Sequence, residues 1–391
     1  MKILLKLIAY PKRSNGFLIR IIILLCVSAC NHKVSEKPTL EKEFYGTTKY
    51  GEAVDQYTLA NKNGMKVKII TYGGIITNLY VQNAKGGLND IVLGYNNLGD
   101  FEEDSPYFGA LIGRYGNRIA DGKFSLDNQL YSLVQNNGKN HLHGGTKGFD
   151  KVVWNAYSKV EENKAILKLN YLSKDMEEGY PGNLFTEVLY TLTNDNVLEV
   201  AYKATTDKKT VLNLTQHSYF NLSGASTILG HELLLNASNY LPVDETLIPT
   251  GEIRSVKNTA FDFLSFKTIG KDINNENIQL KHGLGYDHCW VLDNPNNELQ
   301  TAAILKEATT GIQMEVQTDQ PALQFYSGNF LNGTHPKKNT ELFYEYRSGL
   351  CLETQHYPNA PNEPSFPSTV LNPGEQYSTK TRFIFSVNNL E

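Results

Sequence analysis

The sequence predicts an all-β fold, one large antiparallel β-sandwich with long loops on one side, from three observations. β-branched and aromatic runs recur along the chain, glycine- and asparagine-rich turns separate them, and sustained helical periodicity is nearly absent. The runs are Val67–Tyr72, Ile75–Val81, Ala165–Leu169, Val197–Tyr202 and Phe383–Val387, several with two-residue alternation. Between them lie Asn63-Gly64, Gly73-Gly74, Gly86-Gly87, Asn194-Asp195-Asn196 and Asn332-Gly333, residues that accept the backbone angles of tight turns. Heptads, longer repeats and low-complexity tracts are missing. Composition does not break beyond Phe44, so residues 44–391 read as one domain whose loops carry the site.

The first 29 residues stand apart. Lys2, Lys6, Lys12, Arg13 and Arg20 precede the apolar run Ile21–Leu25 and the small residues of Val27-Ser28-Ala29-Cys30, the outline of a secretory signal. That last tetrapeptide also resembles the bacterial lipobox, in which the cysteine becomes the lipidated first residue. The expectation is therefore a signal over 1–29, a lipidated Cys30 opening a polar tether over 30–43, and an exported domain anchored at a membrane facing the periplasm or cell surface. Ordinary signal cleavage, with Cys30 a bystander, is the competing reading. No later run approaches the roughly 20 apolar residues of a membrane-spanning helix.

Charge and cysteine content narrow the function. Removing residues 1–29 takes the basic-to-acidic balance from 37 against 41 to 32 against 41, a net charge near −9. A nucleic-acid binder needs a basic stripe with interleaved aromatics, and none is found. Cys289 and Cys351, all that remain after Cys30, are too few for a disulfide framework and read as small buried hydrophobes, with a bridge open to them only if their strands are neighbours.

One segment, Gly349-Leu350-Cys351-Leu352-Glu353-Thr354-Gln355, places a single carboxylate in a short apolar strand. Desolvation there raises a carboxyl pKa, which makes Glu353 a candidate general base; a carboxylate paired with a core arginine is the alternative. Five further segments hold polar residues that packing does not require. Gly113-Arg114-Tyr115-Gly116-Asn117-Arg118-Ile119 lacks the context of a phosphate cradle but suits hydroxyl recognition, against a salt-bridged surface turn. Asn140-His141-Leu142-His143-Gly144-Gly145 sets two histidines on one face if extended; further ligands for a metal are not evident, so a histidine doing acid or hydrogen-bond work is preferred. His217 sits in the aromatic, amide-rich run Asn213–Leu222, where a core histidine is the bland reading. Gly285-Tyr286-Asp287-His288-Cys289-Trp290 and Gln320–Phe330, which carries Gln324, mix aromatics with amides and carboxylates, a combination suited to a sugar.

Taken in order, these segments resemble the aldose 1-epimerases, or galactose mutarotases, from about Phe44 to the end of the chain. Arg118, His143, His217, Asp287, Gln324 and Glu353 each stand within a motif similar to that family's. Tyr115-Gly116 and Gln216 depart from its usual residues without touching these positions. The resemblance implies a β-sandwich of the galactose mutarotase type and mutarotation of free aldohexoses without cofactor or metal. It gives Glu353 as base, His217 as acid, His143 near the ring oxygen and able to share the acid role, and Asn117, Arg118, Asp287 and Gln324 as holders of the other hydroxyls. Two rivals remain at this stage. Asp287 and Glu353 could be the paired carboxylates of a glycoside hydrolase, or the domain could bind sugar without catalysis. An epimerase of hexose 6-phosphates would need an added basic cluster, which the sequence does not display.

Overall fold

Twenty-one strand pairings, all antiparallel, assemble most of the chain into three main sheets in a computed structural model that describes residues 37–294 and 296–388. The expected signal and Cys30 lie outside the described residues. The first sheet is a meander of five strands, Thr39–Thr47, Ala53–Ala60, Lys66–Ile70, Ile76–Gln82 and Leu88–Asp90, in sequence order. Its opening strand begins ahead of Phe44, within the expected tether. Glu41, Lys42 and Glu43 are charged because this is an exposed edge strand, where charge discourages pairing with other chains.

The second sheet has nine strands, ordered Asn155–Glu161, Lys164–Ser173, Leu184–Thr193, Val197–Thr206, Tyr377–Val387, Ile312–Thr318, Gln300–Lys306, Glu232–Leu235 and Lys267–Thr268. The third places Arg254–Ser255, Asn239–Leu241, Asp287–Val291, Ala322–Tyr326 and Cys351–Gln355 side by side. One buried cluster unites them, joining Leu59, Val67 and Ile69 of the first sheet, Leu167, Tyr190 and Val200 of the second, and Leu323, Phe325 and Leu352 of the third. The helices Leu98–Asp104 and Ile278–Gly283 are each capped by an asparagine side chain, Asn97 and Asn277.

Strand alternation in the third sheet creates the site. Leu323, Phe325 and Leu352 turn into the core, which sends Gln324, Tyr326, Cys351 and Glu353 to the opposite face. Register brings Glu353 opposite Gln324 and Asp287 opposite Tyr326. The strands of Cys289 and Cys351 are separated by Ala322–Tyr326, and both thiols are buried and free, as small hydrophobes should be.

Of the two arginines in the Gly113–Ile119 segment, only one reaches this face. Arg114 is 2% exposed and turns inward, where its guanidinium donates to Ser173 Oγ and to the backbone carbonyls of Ser173, Lys174 and Pro181. Arg114→Met would leave these acceptors without a donor at about 1–3 kcal/mol each. The unfolding free energy from urea titration is expected to fall by at least about 3 kcal/mol; a loss below about 1 kcal/mol would contradict this role.

Candidate active site

A cavity of about 550 Å³ opens on the polar face of the third sheet, a volume ordinary for small-molecule sites. Asn117, Arg118, His143, His217, Asp287 and Glu353 line it, so six of the seven candidate residues share one chamber. Gln324 supports the wall, donating from Nε2 to Asp287 Oδ1 at 2.7 Å while its own Oε1 is buried without a partner.

His217 ends the strand Thr215–His217, paired with Ala110–Ile112. Reciprocal backbone hydrogen bonds between Phe220 and Leu350 then clamp the segment after His217 to the segment before Glu353. Nε2 of His217 consequently lies 3.6 Å from Oε2 of Glu353, with side chains 5% and 3% exposed. Burial, aided by Asp287 and opposed by Arg118, raises the Glu353 pKa well above the carboxylate range; burial lowers that of His217 to about 4. Opposite charges 3.6 Å apart would attract and so oppose both shifts, which couples the titration of the two groups.

The two histidines of the His-Leu-His segment part company. His141 belongs to the core, with Nδ1 on the Val134 carbonyl at 2.7 Å and Nε2 on the Tyr180 hydroxyl at 2.7 Å. His143 adopts a left-handed φ of 51°, which breaks the extended alternation and turns its ring into the cavity. The turn continues through Gly144, where a Cβ would stand 1.9 Å from the Gly113 carbonyl oxygen. The Asn117 amide donates to His143 Nδ1 at 3.1 Å, which leaves the proton of the neutral ring on Nε2. Burial, with His217 and Arg118 adding repulsion, holds its pKa well below 6.5.

That hydrogen bond also decides the metal question. One donor atom each from His143, His217 and Glu353 lie within 4.8 Å of one another, spacing that suits three ligands. With one nitrogen of His143 accepting an amide proton and the other carrying its own, neither has a lone pair for a cation. Two donors remain, fewer than the three protein ligands of catalytic zinc sites.

Arg118 and Asp287 form a further part of the wall. Nη2 of Arg118 lies 3.7 Å from Asp287 Oδ2, its Nε donates to Asn137 Oδ1, and its amide donates to Asn117 Oδ1. Asp287 is thus engaged by Arg118 and Gln324 instead of standing free as a second reacting carboxylate. Aromatic residues outside the candidate set complete the enclosure. Tyr107 packs on both imidazoles, at ring separations of 4.6 Å from His143 and 5.7 Å from His217, and Tyr326 stacks on Phe330 at the mouth. Tyr326 and Phe330 lay within a segment already singled out. Tyr107 carried no signal, because its position depends on a left-handed φ of 66°.

A buried carboxyl group and an imidazole facing one another in an aromatic-walled cavity of a β-sandwich mark a protein class suited to moving protons on a small hydroxylated ligand. The family model described as aldose 1-epimerase matches residues 55–383. A galactose mutarotase of Sus scrofa is 43% identical over 351 residues, covering 89% of this chain and 99% of that protein. An aldose 1-epimerase of Escherichia coli K12 is 38% identical, covering 86% and 96%. The crystal structure of a galactose 1-epimerase from Lactobacillus acidophilus superposes with a TM-score of 0.80 at 30% identity, covering 90% and 99%. The chain belongs to the aldose 1-epimerase family.

The buried histidines make the fold sensitive to acid. His141, His143, His217, His231 and His288 are all buried with pKa values depressed by burial, to about 4 for His141, His217 and His231 and about 3 for His288. Below their unfolded pKa near 6.5 the unfolded chain binds more protons, so stability is full above about pH 6.5 and is lost as pH falls toward 4. Glu353 and Asp150, whose pKa values burial raises, act in the opposite sense, while His356, lowered to about 4, adds to the histidines. Urea midpoints are expected to drop steadily from pH 7 to 5; a constant midpoint over that range would contradict the buried neutral histidines.

Proposed function

We propose that this protein interconverts the α and β anomers of free aldohexoses such as glucose and galactose, with Glu353 as base and His217 as acid. The carrying observation is the approach of His217 Nε2 to Glu353 Oε2, 3.6 Å apart in one enclosed cavity. Membership of an isomerase family, and relatives named galactose mutarotase and aldose 1-epimerase, support the same reading.

The proton balance follows from the pair. Ring opening starts from the charged arrangement of the pair, Glu353 ionised and His217 protonated. Glu353 takes the proton of the C1 hydroxyl while His217 gives its Nε2 proton to the ring oxygen, and the C1–O5 bond breaks to leave an aldehyde. The pair is then a neutral acid beside a neutral imidazole, the form burial favours, so the site favours the open-chain stage. Rotation about C1–C2 presents the other carbonyl face, and closure runs both transfers backward.

His143 takes the part of a neutral hydrogen-bond donor near the ring oxygen. Giving up its Nε2 proton would create an imidazolate, so it does not share the acid role. Asn117, Arg118, Asp287 and Gln324 hold the remaining hydroxyls, and the unpartnered Gln324 Oε1 is an acceptor suited to one of them. Glu353→Gln and His217→Asn are each expected to cut turnover by at least about 10² with little change in KM. Near-normal polarimetric rates on freshly dissolved α-glucose or α-galactose in either variant would remove that residue from the mechanism.

We further propose that the chain is exported and held at a membrane by acyl chains on Cys30, after cleavage of residues 1–29. Support comes from the basic start, the apolar run and Val27-Ser28-Ala29-Cys30. Radiolabelled palmitate fed to cells is expected to label the full chain and not Cys30→Ser; an unlabelled unmutated chain would refute the anchor.

A further inference from the structure

Cys351 takes no part in the proton transfers, yet its sulfur lies 3.6 Å from Nδ1 of His217, on the ring edge away from the cavity. It precedes Glu353 by two residues on the same strand, so alternation turns both side chains to the same face. Tyr107 and Tyr219 pack on the imidazole at 5.7 and 5.2 Å, with interplanar angles of 37° and 33°. These rings restrict its tilt and leave rotation within its own plane to be fixed by contacts at its two nitrogens. Glu353 meets one nitrogen, and Cys351 meets the other.

We propose that Cys351 is a positioning residue for the acid, accepting the Nδ1 proton of His217 on its sulfur so that Nε2, the nitrogen facing Glu353 and the cavity, is the one that gains and loses a proton. Resting on the assignment of His217 as acid, the proposal concerns only the tautomer. Three observations carry it. Cys351 Sγ is the contact recorded at Nδ1, and the ring's own backbone carbonyl acts in the same direction by favouring a protonated ring. Were Nδ1 unprotonated, the neutral ring would already carry its proton on Nε2 and could not take one back when the sugar recloses. The sulfur is also suited to the task, because burial, with Glu353 and Asp287 adding repulsion, holds the thiol pKa well above 9.

A neutral sulfur differs in effect from the carboxylate that stands behind the histidine of a serine-hydrolase triad. There an anion stabilises the imidazolium and strengthens a base. Here the histidine must release its proton to a weakly basic ring oxygen, and a weak neutral acceptor orients the ring while leaving it a strong acid. The other groups facing His217 are Glu353, the edge of His143 at 5.1 Å and the two phenols, with Arg118 and Asp287 acting on Glu353. None of these groups meets Nδ1 among the described contacts, which leaves the Cys351 sulfur and the ring's own backbone carbonyl as the acceptors on that edge.

The direct test is the 15N spectrum of His217 in the unmutated, sugar-free protein near pH 7. The neutral ring is expected to carry its proton on Nδ1, and a proton on Nε2 would overturn the proposal. In parallel, Cys351→Ala is expected to lower kcat by about ten- to a hundredfold with KM within about threefold. It should also move the high-pH limb of the kcat profile to lower pH. Cys351→Ser keeps an acceptor and should restore both kcat and the limb. Equal losses in Ala and Ser with an unmoved limb would assign the cysteine to packing alone and overturn the proposal, as would unchanged turnover in Ala. Full turnover in His217→Asn would instead refute the acid assignment, so the two failures are distinguishable.

Discussion

The site depends on placing one carboxylate and one imidazole side by side where water is excluded. Glu353 and His217 are 2% and 4% exposed, and an isolated charge so buried would be strongly disfavoured. Two such groups 3.6 Å apart can lower that cost together, since both can be charged and attract or both can be neutral. In the proposed mechanism the closed ring goes with the first state and the open aldehyde with the second. A setting that holds the two states close in free energy removes much of the barrier between them. The sandwich supplies the enclosure, and the clamp between Phe220 and Leu350 supplies the distance.

Backbone conformation distributes the remaining roles. The Asn117 amide on His143 Nδ1 turns a second buried histidine into a donor that cannot become the acid, and the same contact removes it as a metal ligand. On His217 the corresponding nitrogen meets a thiol. Two imidazoles with ring centres 5.1 Å apart thus differ in what touches the nitrogen turned away from the cavity, the difference on which their proposed tasks rest. Arg118 and Asp287 complete the wall and act on Glu353 with opposite signs, Arg118 opposing in part the upward shift that burial and Asp287 impose.

Much of this was legible in the chain. A glutamate inside Leu350-Cys351-Leu352 breaks the apolar pattern of a buried strand, and the structure places that strand in the third sheet with Glu353 on the cavity face. The runs at Ala165, Val197 and Phe383 fall within observed strands, while Val67–Tyr72 outlasts the strand Lys66–Ile70 by two residues and Ile75–Val81 starts one residue ahead of Ile76–Gln82. What stayed hidden depends on single backbone angles. Nothing in Gly113–Ile119 distinguishes Arg114, which satisfies four acceptors in the interior, from Arg118, which lines the cavity. The split between His141 and His143, and the arrival of Tyr107, follow from left-handed residues that alternation patterns cannot register. The first strand was obscured by its own charges, since an exposed edge and a polar tether have the same composition.

The measurement that bears most directly on this coupled pair is a crystal structure of the protein with bound galactose. A pyranose seated with its C1 hydroxyl within hydrogen-bond reach of Glu353 and its ring oxygen within reach of His217 Nε2 is the expected result. A sugar occupying the cavity with C1 and the ring oxygen turned away from both residues would contradict the account.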